Sequence, residues 1–290
     1  MMTVLVNPTA GGAQSDPSGD IAAAFAASGV TPHVVTLQPG DDVERLAREA
    51  ARTSDVVVAA GGDGTVNTVA AALRGTTATL GVVPAGTLNH FARDLKLPTA
   101  MPDAIGTIVA GRTVQIDAAE VNGHLFVNNS SIGVYPNAVT IREQLRASGY
   151  RKWTAMAIAV WRVFRTYRGL HVQMMVNGRA ISTRTPFVFV GNNEYTIEGL
   201  RVGAREHLTS GQLYVYLAPR IHTRQLPRFV LRSLFGLSDV DGAFEIIPTT
   251  ELTITSASVR RLTVSLDGET IPLTLPLHYQ ACPGALRVIV

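Results

Sequence analysis

Seven consecutive residues, Gly61-Gly62-Asp63-Gly64-Thr65-Val66-Asn67, place three glycines, an acid and a hydroxyl within one short stretch. The run before it, Val56-Val57-Val58-Ala59-Ala60, is β-branched and apolar and predicts a buried strand. After it, Val66, Val69, Ala70 and Leu73 recur at helical spacing, and Gly75 supplies a stop. The glycines therefore fall at a strand-to-helix turn. There the backbone can approach a ligand closely, and the helix N-terminus offers unpaired N–H groups to an anion. An Asp inside a phosphate-cradling loop would repel its ligand unless a cation bridged the two. Asp63 thus points to Mg²⁺ between itself and a phosphate, or to removal of a proton from a hydroxyl. An ordinary strand–turn–helix link, with Asp or Thr capping the helix, accounts for the same pattern.

The elements that must position this stretch read as alternating strands and helices. Thr3 to Val6 is a first strand, and Asp16-Pro17 opens a helix continuing over Ile21 to Ala27 before Gly29. His33 to Leu37 is a second strand, and Asp41-Asp42 start a helix ending near Ala51. Strand 56–60, helix 65–73 and strand Leu80 to Val83 follow. This order predicts a parallel, doubly wound sheet, whose ligands bind outside the carboxyl ends of the strands. The loops at Asn7, Thr36, Gly61 and Pro84 would then share one rim. After a helix over Pro102 to Ala110 the grammar changes. Arg112 to Glu120, an Asn122-Gly123 turn and His124 to Asn129 predict a β-hairpin. Two helical stretches, about 136–147 and 152–167, come next. Strands then dominate: His171–Val176, Arg179–Thr183, Phe187–Val190, Gln212–Leu217, Glu245–Ile247, Glu251–Thr255, Leu262–Leu266, Ile271–Leu275 and Leu286–Ile289, with a helix at Thr223 to Phe235. The expected division is an α/β domain over 1–120 and a mainly antiparallel domain over 121–278.

The chain has 290 residues and 46% hydrophobic content, enough for a sizeable core and against disorder. No charged-then-apolar leader precedes the first strand, and Trp153 to Trp161 is too short to span a bilayer. A cytoplasmic protein is expected. The single cysteine, Cys282, excludes an internal disulfide, and the seven histidines lack ligand spacing for zinc. Net charge is +3 but uneven. Arg142, Arg146, Arg151, Lys152, Arg162, Arg165 and Arg168 face only Glu143, while Arg220, Arg224, Arg228 and Arg232 face no acid. Such basic helices with interleaved apolar residues suit anionic lipid headgroups at the inner membrane face, or form a solvated face. No nucleic-acid motif accompanies the charge. The only lysines, Lys96 and Lys152, lie outside any Gly-Lys-Ser/Thr loop, and protein-kinase signatures are missing.

Gly-Gly-Asp-Gly-Thr followed by Val-Asn resembles the nucleotide loop of the diacylglycerol kinase catalytic family, which includes bacterial lipid kinases and is related to sphingosine and ceramide kinases. Other blocks agree in order: Asn7-Pro8 with Ala10-Gly11, Pro84-Ala85-Gly86-Thr87-Leu88-Asn89 before Phe91-Ala92-Arg93, and Asp267-Gly268-Glu269. The resemblance covers nearly the whole chain. It implies a second domain that is a β-sandwich, with the tail at about 279–290 returning to the first domain.

The resemblance also implies an ATP- and Mg²⁺-dependent transfer of phosphate to a lipid hydroxyl, most simply that of diacylglycerol, giving phosphatidic acid and a place in phospholipid biosynthesis. Asn7, Thr36, Gly61, Gly62, Gly64, Thr65, Gly86, Thr87 and Asn89 carry over as nucleotide contacts. Asp63, Glu269 and Asp117 carry over as the catalytic acids, with Asp63 and Glu269 on the metal. Each has a plainer use: Thr36 as a strand end, Asn89 as a helix cap, Asp267-Gly268 as a hairpin turn, Asp117 as a turn-capping strand end. Two positions depart from the family. Thr68 stands where Glu is common, and Ser210-Gly211-Gln212-Leu213 replaces an Asp-Gly-x-Leu that carries a structural metal in some members. A sphingoid-base or soluble-alcohol kinase and a catalytically lapsed nucleotide- or lipid-binding regulator stay open, as does a homodimer.

Overall fold

The computed structural model describes residues 1–12, 16–133, 170–198, 201–217 and 245–290. The stretches expected to be helical at 136–147, 152–167 and 223–235, and both basic runs, lie outside them. The chain divides into two compact units, Met1–Ala118 with Cys282–Val290, and Ala119–Ala281.

The first unit follows the alternation of its sequence. β1 (Met2–Val6), α1 (Ser18–Ala27), β2 (His33–Thr36), α2 (Val43–Thr53), β3 (Val56–Gly61), α3 (Asp63–Leu73), β4 (Thr79–Pro84), α4 (His90–Asp94) and α5 (Met101–Ala110) lead into β5 (Thr113–Val121). The strands lie in the order β2-β1-β3-β4, all parallel. The C-terminal end of the last strand adds beside β4 in the same sense, Val288 opposite Leu80. Val4, Val6, Val58, Ala60 and Val83 pack with Ile21 and Phe25 of α1 and Ile105 and Ile108 of α5. By the two-residue period of a strand, Val57 and Ala59 face the other way, and both are fully buried. β3 is therefore covered on both faces, as its unbroken apolar run requires. α2 and α3 pack on each other and on β3.

Helix starts differ from the sequence reading in α1 and α3, and by one residue in α5, which begins at Met101. α3 begins at Asp63 rather than at Thr65, because Gly62 takes the N-cap position in extended backbone (φ −85°, ψ −178°). α1 begins at Ser18 with Pro17 just outside it, and the Asp16 carboxylate accepts from the Ser18 N–H at 2.9 Å.

In the second unit β6 (His124–Phe126), β7 (Asn129–Gly133), β8 (Leu170–Val176), β9 (Arg179–Thr185), β10 (Phe187–Asn192), β11 (Tyr195–Glu198), β12 (Arg201–Arg205), β13 (Leu213–Leu217), β14 (Glu245–Thr249), β15 (Glu251–Thr255), β16 (Arg261–Leu266), β17 (Glu269–Thr274) and β18 (Leu277–Ile289) follow. One antiparallel layer runs β9-β8-β15-β18 and the other β14-β13-β10-β7-β16-β17. Val172, Met174, Leu252, Ile254 and Tyr279 of the first meet Ile132, Val188, Val190, Val215 and Val264 of the second in one core. That is a β-sandwich. The fold is thus an α/β domain with a parallel sheet and an antiparallel β-sandwich.

The expected strand His124–Asn129 is broken. β6 stops at Phe126, and β7 restarts at Asn129 in the other layer. The N–H groups of Val127 and Asn128 are taken by the Asp267 carboxylate, at 2.8 Å each, so they join no ladder there. The β11–β12 hairpin has no counterpart in the sequence reading, and Asp117 sits inside β5 rather than at a strand end.

Candidate active site

β1, β3 and β4 end at Val6, Gly61 and Pro84, on one edge of a parallel sheet, and the loops that follow are tied together. Asn7 donates its N–H to Ala60 O, and Ala85 donates to Gly61 O, both at 2.9 Å, so adjacent strands stay paired into the loops. The Asn7 carboxamide is used at both ends. Its Nδ2 donates to Thr65 Oγ1 at 2.9 Å, and its Oδ1 accepts from the Thr9 N–H at 3.1 Å and the Thr9 hydroxyl at 2.9 Å. Thr65 is thereby oriented from the first strand's loop.

Two glycines make the close approach. A Cβ on Gly86 would stand 2.6 Å from Gly62 Cα and 2.7 Å from Asn89 Oδ1. The Pro84–Asn89 loop can lie on the Gly61–Thr65 turn only with bare backbone at Gly86. Asn89 closes its own loop: Oδ1 accepts from the Gly86 N–H and Nδ2 donates to Gly86 O, both at 2.9 Å. Its side chain caps no helix; the residue adopts left-handed backbone (φ 50°) before α4. Asp63 lies in the first turn of α3, and its Oδ1 accepts from the Phe91 N–H at 3.3 Å. The structure therefore brings Asn7, Gly61, Gly62, Asp63, Gly64, Thr65, Gly86 and Asn89 to one rim. Thr87 is exposed on the same loop. Thr36 ends β2 on the same edge, with its hydroxyl 2.7 Å from that of Ser18.

The remaining predicted acids differ in setting. Asp117 is buried, and its Oδ1 accepts from the Gly284 N–H at 2.9 Å. Glu269 belongs to the second unit, where it is exposed at the start of β17. Thr68, at the position of the family's Glu, turns its hydroxyl onto Gly64 O at 2.9 Å, within its own helix. Asn67 closes the Gly61–Asn67 run, within α3. Both polar atoms of its carboxamide are buried without a hydrogen-bond partner, a costly state for an amide inside a helix.

Sequence reasoning missed the role of Asp267. Besides forming the expected hairpin turn, it accepts from the N–H groups of Val127, Asn128 and Asn129 at 2.8, 2.8 and 2.9 Å. Burial pushes its carboxyl up to about 6, against the pull of those N–H donors and of the Arg205 guanidinium. Arg205 is itself buried and was not singled out by any motif. The Asp-Gly pair was the one available signal, and it reads equally as an ordinary hairpin.

The departure at Ser210 has a structural counterpart. Its N–H and hydroxyl both donate to Asn193 Oδ1, at 2.8 and 2.7 Å. A neutral hydroxyl brings no negative charge to the place where an Asp would help to hold a structural divalent cation. Among the described residues no group of three or more His, Cys, Asp or Glu side chains could hold a metal. Asp63 does suit Mg²⁺, which binds through one or two carboxylates while substrate phosphates and water supply the other oxygens.

Comparison with known proteins identifies the two domains. Residues 1–121 match the diacylglycerol kinase catalytic domain, and residues 131–290 match the YegS C-terminal NAD kinase β-sandwich-like domain. A probable lipid kinase YegS-like from Pectobacterium atrosepticum is 43% identical over 36% of this chain and 37% of its own length. One from Citrobacter koseri is 37% identical over 47% of this chain and 48% of its own. The matches thus span less than half of those relatives. A solved structure of a putative diacylglycerol kinase from Bacillus anthracis shares the fold at a TM-score of 0.74, with 22% identity over 99% of this chain and 96% of that one. No helix among the described residues is long and apolar enough to cross a membrane. With both domain models matched in order along the chain, the protein belongs to the diacylglycerol kinase catalytic-domain family and carries a YegS-type C-terminal β-sandwich-like domain.

Proposed function

We propose that the protein is an ATP- and Mg²⁺-dependent lipid kinase that transfers the γ-phosphate to the hydroxyl of diacylglycerol. The observation that carries this reading is the rim itself. Backbone stripped of side chains at Gly62 and Gly86 lies beside the N-terminus of α3, with one carboxylate, Asp63, in its first turn. Backbone N–H groups there would cradle phosphate without a P-loop lysine. Asn7 holds the Thr65 hydroxyl in place for the nucleotide. Asp63 would hold Mg²⁺, which when bound offsets the charge of the triphosphate. Glu269, assigned by its place in the Asp-Gly-Glu motif, takes the proton of the acceptor hydroxyl. The acceptor oxygen then forms its bond to the γ-phosphorus as the bond to the β–γ bridging oxygen breaks, and ADP departs with that oxygen. Asp117 supports the acid network. The basic runs Arg142–Arg168 and Arg220–Arg232 would hold the enzyme on anionic headgroups, where such an acceptor resides.

The test is transfer from labelled ATP with Mg²⁺ to mixed micelles carrying diacylglycerol, monoacylglycerol, ceramide or sphingosine, beside an Asp63→Ala control. A labelled diacylglycerol product that disappears in the control is the expected result. Label on another lipid would move the acceptor class. Nucleotide binding without any labelled lipid would overturn the reading in favour of a soluble acceptor or a non-catalytic binding protein.

A further inference from the structure

The Asp-Gly turn from which Glu269 projects is tied to its surroundings far more heavily than a hairpin requires. Asp267 and Gly268 adopt positive φ (50° and 93°), as a two-residue turn of this kind demands. Besides its carboxylate's three bonds, Asp267 donates its own N–H to Asn129 O at 2.9 Å. Four hydrogen bonds thus join one turn residue to the Val127–Asn129 crossing between β6 and β7.

That crossing is fixed in turn from the other side. Arg205, at the end of β12, reaches Val127 O at 2.6 Å and Asn192 O at 3.1 Å through Nη1, and Asn128 Oδ1 at 2.8 Å through Nη2. Asn192 adds its Nδ2 to Val127 O and its N–H to Asn128 O, both at 2.9 Å. The Arg205 guanidinium lies 5.4 Å from the ring centre of Tyr195, whose N–H and C=O are both bonded to the Tyr216 hydroxyl. A guanidinium suits this place because its rigid planar fork carries donors on separate nitrogens, so Nη1 and Nη2 divide the three oxygens between them, whereas an ammonium offers a single nitrogen. The result is a chain of hydrogen bonds, buried at Arg205, Val127 and Asn128 and half-buried at Asp267, that runs from the β11–β12 hairpin through the 127–129 crossing to Asp267, two residues before Glu269.

We propose that Arg205 and Asp267 are positioning residues for Glu269, holding the turn that carries its carboxylate in a single orientation. The proposal rests on the role given to Glu269 above, and it needs no contact between substrate and either residue. It also gives β11–β12, a hairpin with no motif of its own, a part in the reaction.

Amide hydrogen exchange and phosphate transfer, measured on the same full-length proteins, test it. In Asp267→Asn, the N–H groups of Val127, Asn128 and Asn129 and those of residues 267–269 should exchange at least about 10-fold faster, while β10 and β13 stay protected. Arg205→Lys should loosen the same segment. With diacylglycerol micelles, each variant should lose about 10-fold or more in kcat, with the KM for ATP changed less than about 3-fold. Adding Asp267→Asn to Glu269→Gln should cost nothing further, because both act through one carboxylate. Unchanged exchange at 127–129 and 267–269, a rise spread evenly over both sheets, or additive losses in the double variant would overturn it. If the wild-type protein labels no lipid, the kinase reading fails separately. The exchange measurement then still decides whether Arg205 and Asp267 hold the turn.

Discussion

Replacing Gly86 with alanine probes whether the nucleotide rim depends on main chain lying directly on main chain. The added Cβ would sit 2.6 Å from Gly62 Cα and 2.7 Å from Asn89 Oδ1, whereas carbon atoms in ordinary contact stand about 3.5–4.0 Å apart. Neither neighbour can yield cheaply. Gly62 Cα is backbone at the N-cap of α3, and Asn89 is held by its two bonds to Gly86 itself. Relief therefore means separating the two loops by roughly 1 Å, an overpacking that costs about 1–3 kcal/mol of stability. A displacement of that size in a phosphate-positioning loop costs about 100-fold in turnover. Gly62→Ala should be milder, because its Cβ would meet Gly86 Cα at 3.3 Å. Gly106→Ala, within α5 and with nothing near its added carbon, should instead stabilise by about 0.5–1 kcal/mol. Urea unfolding and calorimetric titration with Mg²⁺ and a non-hydrolysable ATP analogue would rank the three. A Gly86→Ala protein as stable as wild type and binding the analogue as tightly would refute the reasoning.

Two other outcomes follow from polar groups inside the second unit. The Asp267 carboxyl, raised to about 6 by burial, contributes stability that is full below its unfolded value of 3.8 and is lost as pH rises through about 6. Wild-type stability measured against Asp267→Asn should fall by up to about 3 kcal/mol between pH 4 and pH 7, and a difference that grew with pH would contradict that sign. The Tyr216 hydroxyl accepts from Tyr195 N–H at 2.8 Å and donates to Tyr195 O at 3.2 Å, so Tyr216→Phe strands two buried backbone groups. It should cost about 1–3 kcal/mol in denaturant melts, and a loss under about 0.5 kcal/mol would mean that those groups find other partners.

What the sequence by itself determined is local and periodic. β-branched runs such as Val56–Ala60, turn pairs such as Asn122-Gly123 and the Asp41-Asp42 helix start have their causes within a few residues, so the alternation of the first unit and most strands of the second were legible among the described residues. Connectivity then carried the rim: parallel strands joined by helices place every strand's carboxyl end on one edge, whatever the side chains. Tertiary structure alone decided which groups meet there. Asn7 and Thr65 are 58 residues apart, Asp63 and the Phe91 N–H 28, and no spacing rule reaches across separate loops. Asp267 shows the limit most clearly. Its neighbours predict a hairpin turn, and that turn is present. Yet its partners stand 138–140 residues away, brought in by sheet packing that a local pattern does not encode, and they convert a turn residue into a half-buried carboxylate with three backbone donors that interrupts one strand and anchors the next.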